Sequence, residues 1–237
     1  MWYVKIWYRI VWAVVKVLSS LLCRVETDGW SNMPEKGPFI IASNHLHFFD
    51  PPLVLVGIPY REVTALAAEK WARVWPVNWL LKSVGAIFVR RGEVDREALA
   101  KCLAVLQQGG ILGVAPEGTR SRTGTMQRGK PGIAYLATKL SVPIVPVGIS
   151  GQEKIIAEWK HLHRPHVIVR VGQPFRLQPV HGQQKGEQLQ ARADEVMQHI
   201  AALVREDLRG VYADGKESGI GESAKQESRQ WETYPHS

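Results

Sequence analysis

Cysteine is scarce in this chain, since its 237 residues contain only two, Cys23 and Cys102. Two cysteines so far apart give neither a disulfide framework nor the C-x-x-C spacing of a metal or redox motif. The sequence therefore predicts a protein of a reducing, cytosol-facing compartment. Hydrophobic residues make up 45% of the chain, and its length is enough for one large domain and marginal for two.

Two further motifs are missing. The segment 148–151, Gly-Ile-Ser-Gly, comes near the G-x-S-x-G pattern of a serine nucleophile but does not fit it. His161, His163 and His166 lie close together in sequence, but in a loop and without the fourth donor that a zinc site needs. We therefore predict no metal ion and no cofactor.

Acidic residues are absent from the first 24 positions, whereas four basic residues are present there, Lys5, Arg9, Lys16 and Arg24. The whole chain has a formal net charge of +8 and a pI of about 9.6. This balance favours anionic partners, which include phospholipid headgroups, phosphorylated small molecules, acidic carrier proteins and nucleic acid. Charge alone does not choose among them.

The first 23 residues are typical of one helix. At 100° per residue, Lys5, Arg9 and Lys16 fall within roughly 40° of each other on the helical wheel. A signal peptide would need an apolar core free of charge, and a membrane span would have to bury these three charges. A narrow basic stripe, a broad apolar face and many aromatic residues instead favour an interfacial helix. A helix packed on its own soluble domain is the alternative.

The rest of the chain predicts an α/β fold, a mixed and largely parallel sheet flanked by helices. Short runs that are apolar on both faces are typical of strands covered by helices on both sides of a sheet. The strands are expected at Pro38–Ala42, Val63–Ala67, Ala86–Val89, Ile111–Ala115, Ile144–Ile149 and Val167–Val171. Helices are expected at Lys70–Ser83, Val94–Gln108, Pro131–Leu140 and Glu187–Leu208. The chain then divides into a membrane-associating helix (1–24), an α/β domain (25–210) and a disordered polar tail (211–237).

A histidine and an aspartate follow the first predicted strand of this domain, in the segment Asn44-His45-Leu46-His47-Phe48-Phe49-Asp50. Ligand crevices of α/β proteins form where chains leave the carboxyl ends of strands. There His45 can act as a general base that is oriented by Asp50. Because no serine nucleophile accompanies the pair, the pattern indicates direct attack by a substrate hydroxyl. The spacing alone also fits a histidine that caps or lines the core.

Two more predicted strands deliver arginines at their carboxyl ends. One ends in Arg90 and Arg91, and the other leads into Pro116-Glu117-Gly118-Thr119-Arg120-Ser121. Guanidinium groups, hydroxyls and the backbone N–H groups beside a glycine are suited to binding phosphate. We therefore expect these loops and the His45 loop to meet at one edge of the sheet.

In their order and separation, these blocks and the strand Val142–Pro146 resemble the glycerophospholipid acyltransferase family over roughly residues 25 to 175. The resemblance implies that His45 and Asp50 are the catalytic dyad. It also implies a set of substrate-binding residues, namely Arg90, Glu117, Gly118, Thr119, Arg120, Lys70 and Pro146. The chain departs from the usual pattern at His47, inside the catalytic loop, and at Ala115.

The resemblance implies acyl transfer from acyl-ACP or acyl-CoA, as a co-substrate, to a lysophosphatidate-type hydroxyl in phospholipid synthesis. The expected partners are an anionic membrane surface, a lysophospholipid and acyl carrier protein or CoA, and not nucleic acid. The expected location is the cytoplasmic face of the cell membrane, peripheral or monotopic. Two alternatives stay open: another lysolipid or glycolipid acceptor, and a non-catalytic protein that binds anionic lipid or nucleic acid.

Overall fold

Seven strands form one sheet in the computed structural model of the protein, which describes residues 2–58, 61–92, 94–182 and 185–213. The strands are β1 (Arg24–Asp28), β2 (Phe39–Ser43), β3 (Val63–Ala68), β4 (Ile87–Val89), β5 (Ile111–Val114), β6 (Ile144–Ser150) and β7 (His166–Val171). Their order in the sheet is β1-β7-β6-β2-β5-β3-β4. All neighbours are parallel except β6 and β7, which confirms the predicted mixed, largely parallel sheet.

Helices cover both faces of this sheet. They are α1 (Trp2–Leu22), α2 (Asp50–Val56), α3 (Trp75–Ser83), α4 (Arg96–Gln107), α5 (Gly132–Leu140), α6 (Ile155–Lys160) and α7 (Lys185–Leu203). On one face, Ile40 and Leu112 lie in a core with residues of α4, α5 and α7. On the other, Ile41 and Val145 lie in a core with residues of α2 and α6. Two-sided burial is the reason that the central strands are apolar at nearly every position.

The strand and helix predictions are confirmed within a few residues, with three differences. β1 was not predicted because it is an edge strand of mostly polar residues, paired only with β7. The short helices α2 and α6 were also not predicted. The single helix expected at Lys70–Ser83 is instead a 3₁₀ helix, Glu69–Arg73, followed by α3. Pro76 lies in the first turn of α3, where a missing N–H is tolerated, and it prevents one continuous helix.

Helix α1 packs one of its faces on the domain. The Tyr8 hydroxyl accepts a hydrogen bond from the backbone N–H of Val63 (3.0 Å), and Trp12 Nε1 donates to the Leu55 carbonyl (2.9 Å). The opposite face leaves Ile10 and Val17 exposed. Helix α1 therefore has both a packed face and an open apolar face. Among the described residues, no helix is long and apolar enough to cross a membrane.

The packed chain extends past residue 210, where the sequence placed the boundary of the domain. After α7, which ends at Leu203 rather than Leu208, two 3₁₀ helices follow, Glu206–Leu208 and Gly210–Tyr212. The Tyr212 hydroxyl donates to Asp194 Oδ1 (3.0 Å) and accepts from the Gly129 N–H (3.1 Å). The remainder of the predicted tail, 214–237, lies outside the described residues.

Candidate active site

The loop after β2 is fixed to the sheet by Asn44, which is fully buried. Its side-chain amide donates to the Ile149 carbonyl (3.0 Å), and its side-chain oxygen accepts from the Ile149 N–H (2.8 Å). This reciprocal pair continues the β2–β6 pairing by one step beyond Ser43. Asn44 therefore sets where the chain leaves the sheet, and so where the next residue, His45, begins.

His45 and Asp50 are joined directly, since His45 Nδ1 lies 3.0 Å from Asp50 Oδ2. Asp50 is the first residue of α2 and only 1% exposed, and two prolines after it favour the helical turn that begins there. Burial raises the pKa of the Asp50 carboxyl, and hydrogen bonds from His45 and His47 oppose this shift. With Nδ1 turned to the carboxylate, Nε2 is the ring nitrogen that can act as a base.

His47, the residue at which the chain departs from the family pattern, supports Asp50 through its backbone. Its N–H donates to Asp50 Oδ2 (2.7 Å), while its ring stacks on Phe49 with centroids 5.4 Å apart. Burial lowers the pKa of the His47 ring, although the nearby Asp50 carboxylate opposes this. The neutral ring is therefore favoured, and its packing fixes the loop that carries His45.

Glu117 connects the two loops that the sequence predicts to meet. One carboxylate oxygen accepts from the His45 N–H (2.9 Å), and the other accepts from the Gln127 N–H (3.0 Å). The carbonyl of His45 in turn accepts from the Ser121 N–H (2.9 Å). Glu117 is 1% exposed, and burial raises its pKa to about 7 although both backbone donors act in the opposite direction. The Glu117 carboxylate thus holds the backbone of His45 in place.

The turn after β5 places Gly118 at the cavity and the next two residues beside it. Gly118 has φ +67°, in the left-handed region that favours glycine, and a Cβ at this position would also crowd the Lys130 side chain at 2.9 Å. Thr119 Oγ1 accepts a long hydrogen bond (3.4 Å) from Arg91 Nη1. Partial desolvation, and then the charge of Arg120, lower the pKa of Arg91. The charges of Arg91 and Arg120 are therefore close enough to interact.

A cavity of about 140 Å³ opens beside His45 on the face of the sheet that α2 covers. Its floor consists of small or aliphatic side chains from three neighbouring strands, and α2 forms its roof. The lining includes Ile41, Ser43, Ala65, Ala67, Gly113, Pro51, Val54 and Leu55. The polar side chains of the lining are Ser43, His45, Asp50 and Arg91, which stand at or after the carboxyl ends of β2 and β4. The result is an apolar chamber with a base and a cation at its mouth.

Of the seven residues that the resemblance implied as substrate ligands, Gly118 alone lines this cavity, and three of the others have partners away from it. The Arg90 Nε lies 3.5 Å from Asp95 Oδ2, the carboxylate that caps α4. Lys70 lies over the ring of Trp71, 5.3 Å from its centroid. Pro146 points to the other face of the sheet, where it packs against Gly172.

Arg91 is the site residue that sequence reasoning did not single out. It lines the cavity and contacts Thr119, whereas its neighbour Arg90 engages Asp95. Both residues follow the end of β4 at Val89, and Arg91 alone of the two lines the cavity. No pattern in the sequence separated the two, because Arg90 and Arg91 are adjacent and both come after the strand.

The geometry of the three clustered histidines does not test the prediction that the protein binds no metal ion. Two of these histidines have other partners. His163 lies 3.4 Å from Glu158, and His166 lies 3.0 Å from Glu26. Across the described ranges, no three histidine, cysteine, aspartate or glutamate side chains form a group that could hold a metal ion.

Comparison with known proteins identifies the class to which this α/β fold and site belong. Residues 24–150 match the family model described as Acyltransferase. Because the match covers more than half of the chain, the protein belongs to the acyltransferase family. The matched segment contains the His45–Asp50 pair and the Glu117–Arg120 loop, and it ends with β6.

The relatives include enzymes named 1-acyl-sn-glycerol-3-phosphate acyltransferase. The protein of that name from Borreliella burgdorferi is 33% identical over 126 residues, covering 52% of this chain and 50% of its own length. The alpha form from Bos taurus is 30% identical over 217 residues, covering 89% of this chain and 71% of its own. The chain thus spans about half the length of the Borreliella relative and of two chloroplastic relatives from plants.

A solved structure has the same fold. The crystal structure of the 1-acyl-sn-glycerophosphate (LPA) acyltransferase PlsC from Thermotoga maritima superposes with a TM-score of 0.63 at 22% identity. The likeness covers 97% of this chain and 83% of that one. At this identity it shows a shared fold.

Proposed function

We propose that this protein transfers a fatty acyl group from acyl-ACP or acyl-CoA to the free hydroxyl of a lysophosphatidate-type acceptor. The observation that carries the proposal is the 3.0 Å His45–Asp50 contact at the mouth of an apolar cavity. The names of the relatives support this acceptor class. In this reading His45 and Asp50 are the catalytic residues, and Gly118, Thr119, Arg120 and Arg91 surround the acceptor.

The proposed reaction needs no acyl-enzyme. His45 Nε2 takes the proton from the acceptor hydroxyl while its oxygen attacks the thioester carbonyl carbon, and Asp50 stabilises the imidazolium that forms. The tetrahedral intermediate collapses, the carbon–sulfur bond breaks, and the thiol leaves with the proton from His45. An ester and a free thiol are the products.

The apolar part of the cavity fits the acyl chain in this proposal. Its wall includes Val63 and Leu55, the two residues that hydrogen-bond to Tyr8 and Trp12 of α1. Helix α1 therefore supports the end of the chamber distant from Arg91. Removing the helix would expose this wall, so deletion of residues 1–23 is a poor test of membrane binding alone.

Arg91 and Arg120 form the proposed phosphate site. Two cations near each other at a cavity mouth repel, and a phosphate between them would relieve this repulsion and accept charge-assisted hydrogen bonds. Thr119 adds a hydroxyl that already contacts Arg91. The resemblance gave the phosphate-binding role to Arg90. We assign this role instead to the adjacent residue, Arg91.

Arg91→Ala is expected to raise the acceptor concentration needed for half-maximal rate by roughly tenfold or more, because a charge-assisted contact contributes about 1.5–3 kcal/mol. Arg120→Ala is expected to act in the same direction. The measurement is initial rate against acceptor concentration at saturating donor. Arg90→Ala is the matched control and should change this value much less, since Arg90 lies against Asp95. An Arg90 variant with the larger effect would contradict the assignment.

The protein is further proposed to act as a peripheral or monotopic protein at the cytoplasmic face of an anionic membrane. The exposed side of α1 and its basic residues support this location. Attraction to anionic lipid contributes about 1 kcal/mol for each basic residue near the surface, which is roughly a hundredfold in partition for three.

A variant with Lys5, Arg9 and Lys16 all changed to Gln is therefore expected to lose most of its preference for anionic over neutral vesicles. The apolar contribution to binding does not depend on salt, whereas the charge contribution fades as the Debye length shrinks. Co-sedimentation with both vesicle types at low and high salt measures the effect. Equal anionic preference in parent and variant would show that these charges face away from the lipid.

The acyl-transfer proposal is tested by release of free thiol from acyl-CoA and from acyl-ACP, each offered with a panel of acceptors. Thiol release that depends on lysophosphatidate would support the proposed acceptor. Release with another lysolipid or with a glycolipid would keep the chemistry and change the acceptor. A protein that only binds lipid or nucleic acid would release no thiol with any acceptor.

A further inference from the structure

Large exposed apolar side chains concentrate on three elements that are separate in sequence. Helix α1 exposes an apolar stripe along its length, Ile6, Ile10, Val14, Val17, Leu18, Leu21 and Leu22. Helix α3 exposes Trp75, which is 81% accessible, and Trp79. The turn after α6 exposes Leu162, which is 94% accessible. Large clustered apolar surface of this kind marks an interaction site.

The three elements join into one surface, because α3 and the α6 turn contact opposite ends of α1. Near its first residues, the rings of Trp7 and Trp79 pack edge to face with centroids 5.5 Å apart. Near its last residues, Trp159 Nε1 donates to the Leu22 carbonyl (2.9 Å), and Arg164 donates to the Cys23 carbonyl (3.1 Å). Trp75 and Leu162 therefore mark the two ends of a surface whose middle is the open face of α1.

The catalytic loop borders this surface. Four aromatic rings form a continuous row with successive centroid distances of 5.9, 5.6 and 5.2 Å, in the order Trp71, Phe48, Phe49 and Trp159. The row begins beside α3 and ends on α6. Phe48, its most exposed ring, lies between His45 and Asp50 in the chain. Ring contacts thus connect the catalytic loop to α6 and to the segment that precedes α3.

The three elements of this surface carry charge of one sign, although Glu158 and Glu26 from outside them contact His163 and His166. Helix α1, helix α3 and residues 159–166 contain no acidic residue, although the whole chain has 22. Basic residues are present on all three, including Lys16, Lys82, Lys160 and Arg164. Apolar surface flanked by cations and aromatic rings complements an anionic phospholipid interface and not an acid-flanked protein partner.

Leu162 has a conformation that folding alone does not explain. Its φ is +59°, in the left-handed region that costs a non-glycine residue about 1–2 kcal/mol, and its side chain packs on almost nothing. A glycine or asparagine would adopt this turn without the exposed apolar group. An exposed leucine held in this way is suited to insertion among acyl chains.

We propose that α1, α3 and the 159–166 turn form a single docking face for an anionic bilayer, with the catalytic loop at its edge. The protein then lies with α1 parallel to the membrane, and a lipid acceptor reaches His45 along the row of aromatic rings without leaving the interface. This orientation deepens the proposed function and rests on it for the acceptor. The docking itself can be measured without any activity.

Vesicle partition of Trp75→Ser, Leu162→Ser and the double variant tests the face. Each single variant is expected to partition roughly tenfold more weakly to vesicles of phosphatidylcholine and phosphatidylglycerol, because each loses a large apolar side chain. Val211→Ser is the matched control, since Val211 is 69% exposed and its neighbour Tyr212 bonds to Gly129 and to Asp194 of α7, the helix that packs on the other face of the sheet. It should change partition by less than about twofold. Phe48→Ser should also weaken partition.

Activity separates the docking face from the chemistry. With a long-chain acceptor in vesicles, the double variant should lose rate in parallel with its lost partition. With a short-chain acceptor dissolved as monomers, its rate should equal that of the parent. If the parent acylates neither acceptor, the acyl-transfer proposal fails while the partition data still test the face.

Three results would overturn the docking face. The first is unchanged partition of the double variant, and the second is an equal effect of Val211→Ser. The third is a parent that is dimeric without lipid and becomes monomeric in Trp75→Ser, with vesicle partition retained, since the face would then pair two copies. Unchanged partition of Phe48→Ser would show that the catalytic loop does not contact the membrane.

Discussion

Replacing His45 with alanine is expected to lower the rate of acyl transfer by about 10²–10⁴ while the protein stays folded. The ring is the base in the proposed mechanism, and its Nδ1 is held by Asp50 at 3.0 Å. Its side chain contributes little to the core, because the backbone of the loop is fixed independently by Asn44 and Glu117. The loss should therefore appear in turnover and not in stability. Initial rates of thiol release, measured with the far-UV spectrum and the melting temperature, separate the two.

Asp50→Asn is the companion variant and should be similarly damaging. An asparagine amide would present a donor or a weaker acceptor to His45 Nδ1, so the favoured ring tautomer and the stability of the imidazolium would both change. The His47 N–H, which also donates to Asp50 Oδ2, is lost as a charge-assisted contact. A correctly folded His45→Ala protein with full activity would refute the mechanism, whatever Asp50→Asn does.

The dyad was predictable from sequence because its geometry is local. His45 and Asp50 are five residues apart, and both lie directly after a strand whose apolar run identifies it. The meeting of the His45 and Glu117 loops followed from a simple rule, that parallel strands deliver their loops to one edge. The strands β2 and β5 are neighbours in the sheet, so the two loops are in contact.

The direction of individual side chains was less predictable. Arg90 and Arg91 are adjacent and chemically identical, and only the placement of β4 and Asp95 decides which one faces the cavity. Pro146 belongs to a strand buried on both faces, so its sequence environment does not identify the cavity side. Helix α1 shows the same limit, since a broadly apolar helix does not reveal which part of its surface packs on the domain.

Glu117 was predicted as a substrate ligand, and its geometry favours a positioning role. Both of its oxygens are occupied by backbone N–H groups, from His45 and Gln127, and the residue is buried. A sequence shows that an acid stands between a proline and a glycine, but it does not show which distant N–H groups need an acceptor. These donors are 72 and 10 residues away in the chain.

Glu117→Ala is expected to lower the free energy of unfolding by about 2–4 kcal/mol, which is a large part of the 5–15 kcal/mol typical of a domain. The change leaves two buried N–H groups without their acceptor, and each such group costs about 1–3 kcal/mol. Relief from burying the carboxyl offsets part of this cost. Urea unfolding measures the change, with Glu97→Ala as a control because Glu97 is an exposed acid that pairs with Lys101 on α4.

The conservative variant Glu117→Gln tests the same assignment through pH. Burial raises the pKa of Glu117 to about 7, above its ordinary value of 4.5, so the folded protein binds this proton more tightly than the unfolded chain does. The stability of the parent should therefore fall as the pH rises from about 4.5 through 7, by on the order of 3 kcal/mol from this group. Glutamine does not titrate, so the stability difference between parent and variant should shrink by that amount over the same window.

The turnover of the glutamine variant should also fall at every pH, because its amide cannot accept from both His45 and Gln127. A difference in unfolding free energy that stays constant from pH 5 to pH 8 would contradict the burial of an ionisable group here. Normal turnover in the glutamine variant would show that the Glu117 carboxylate does not position His45.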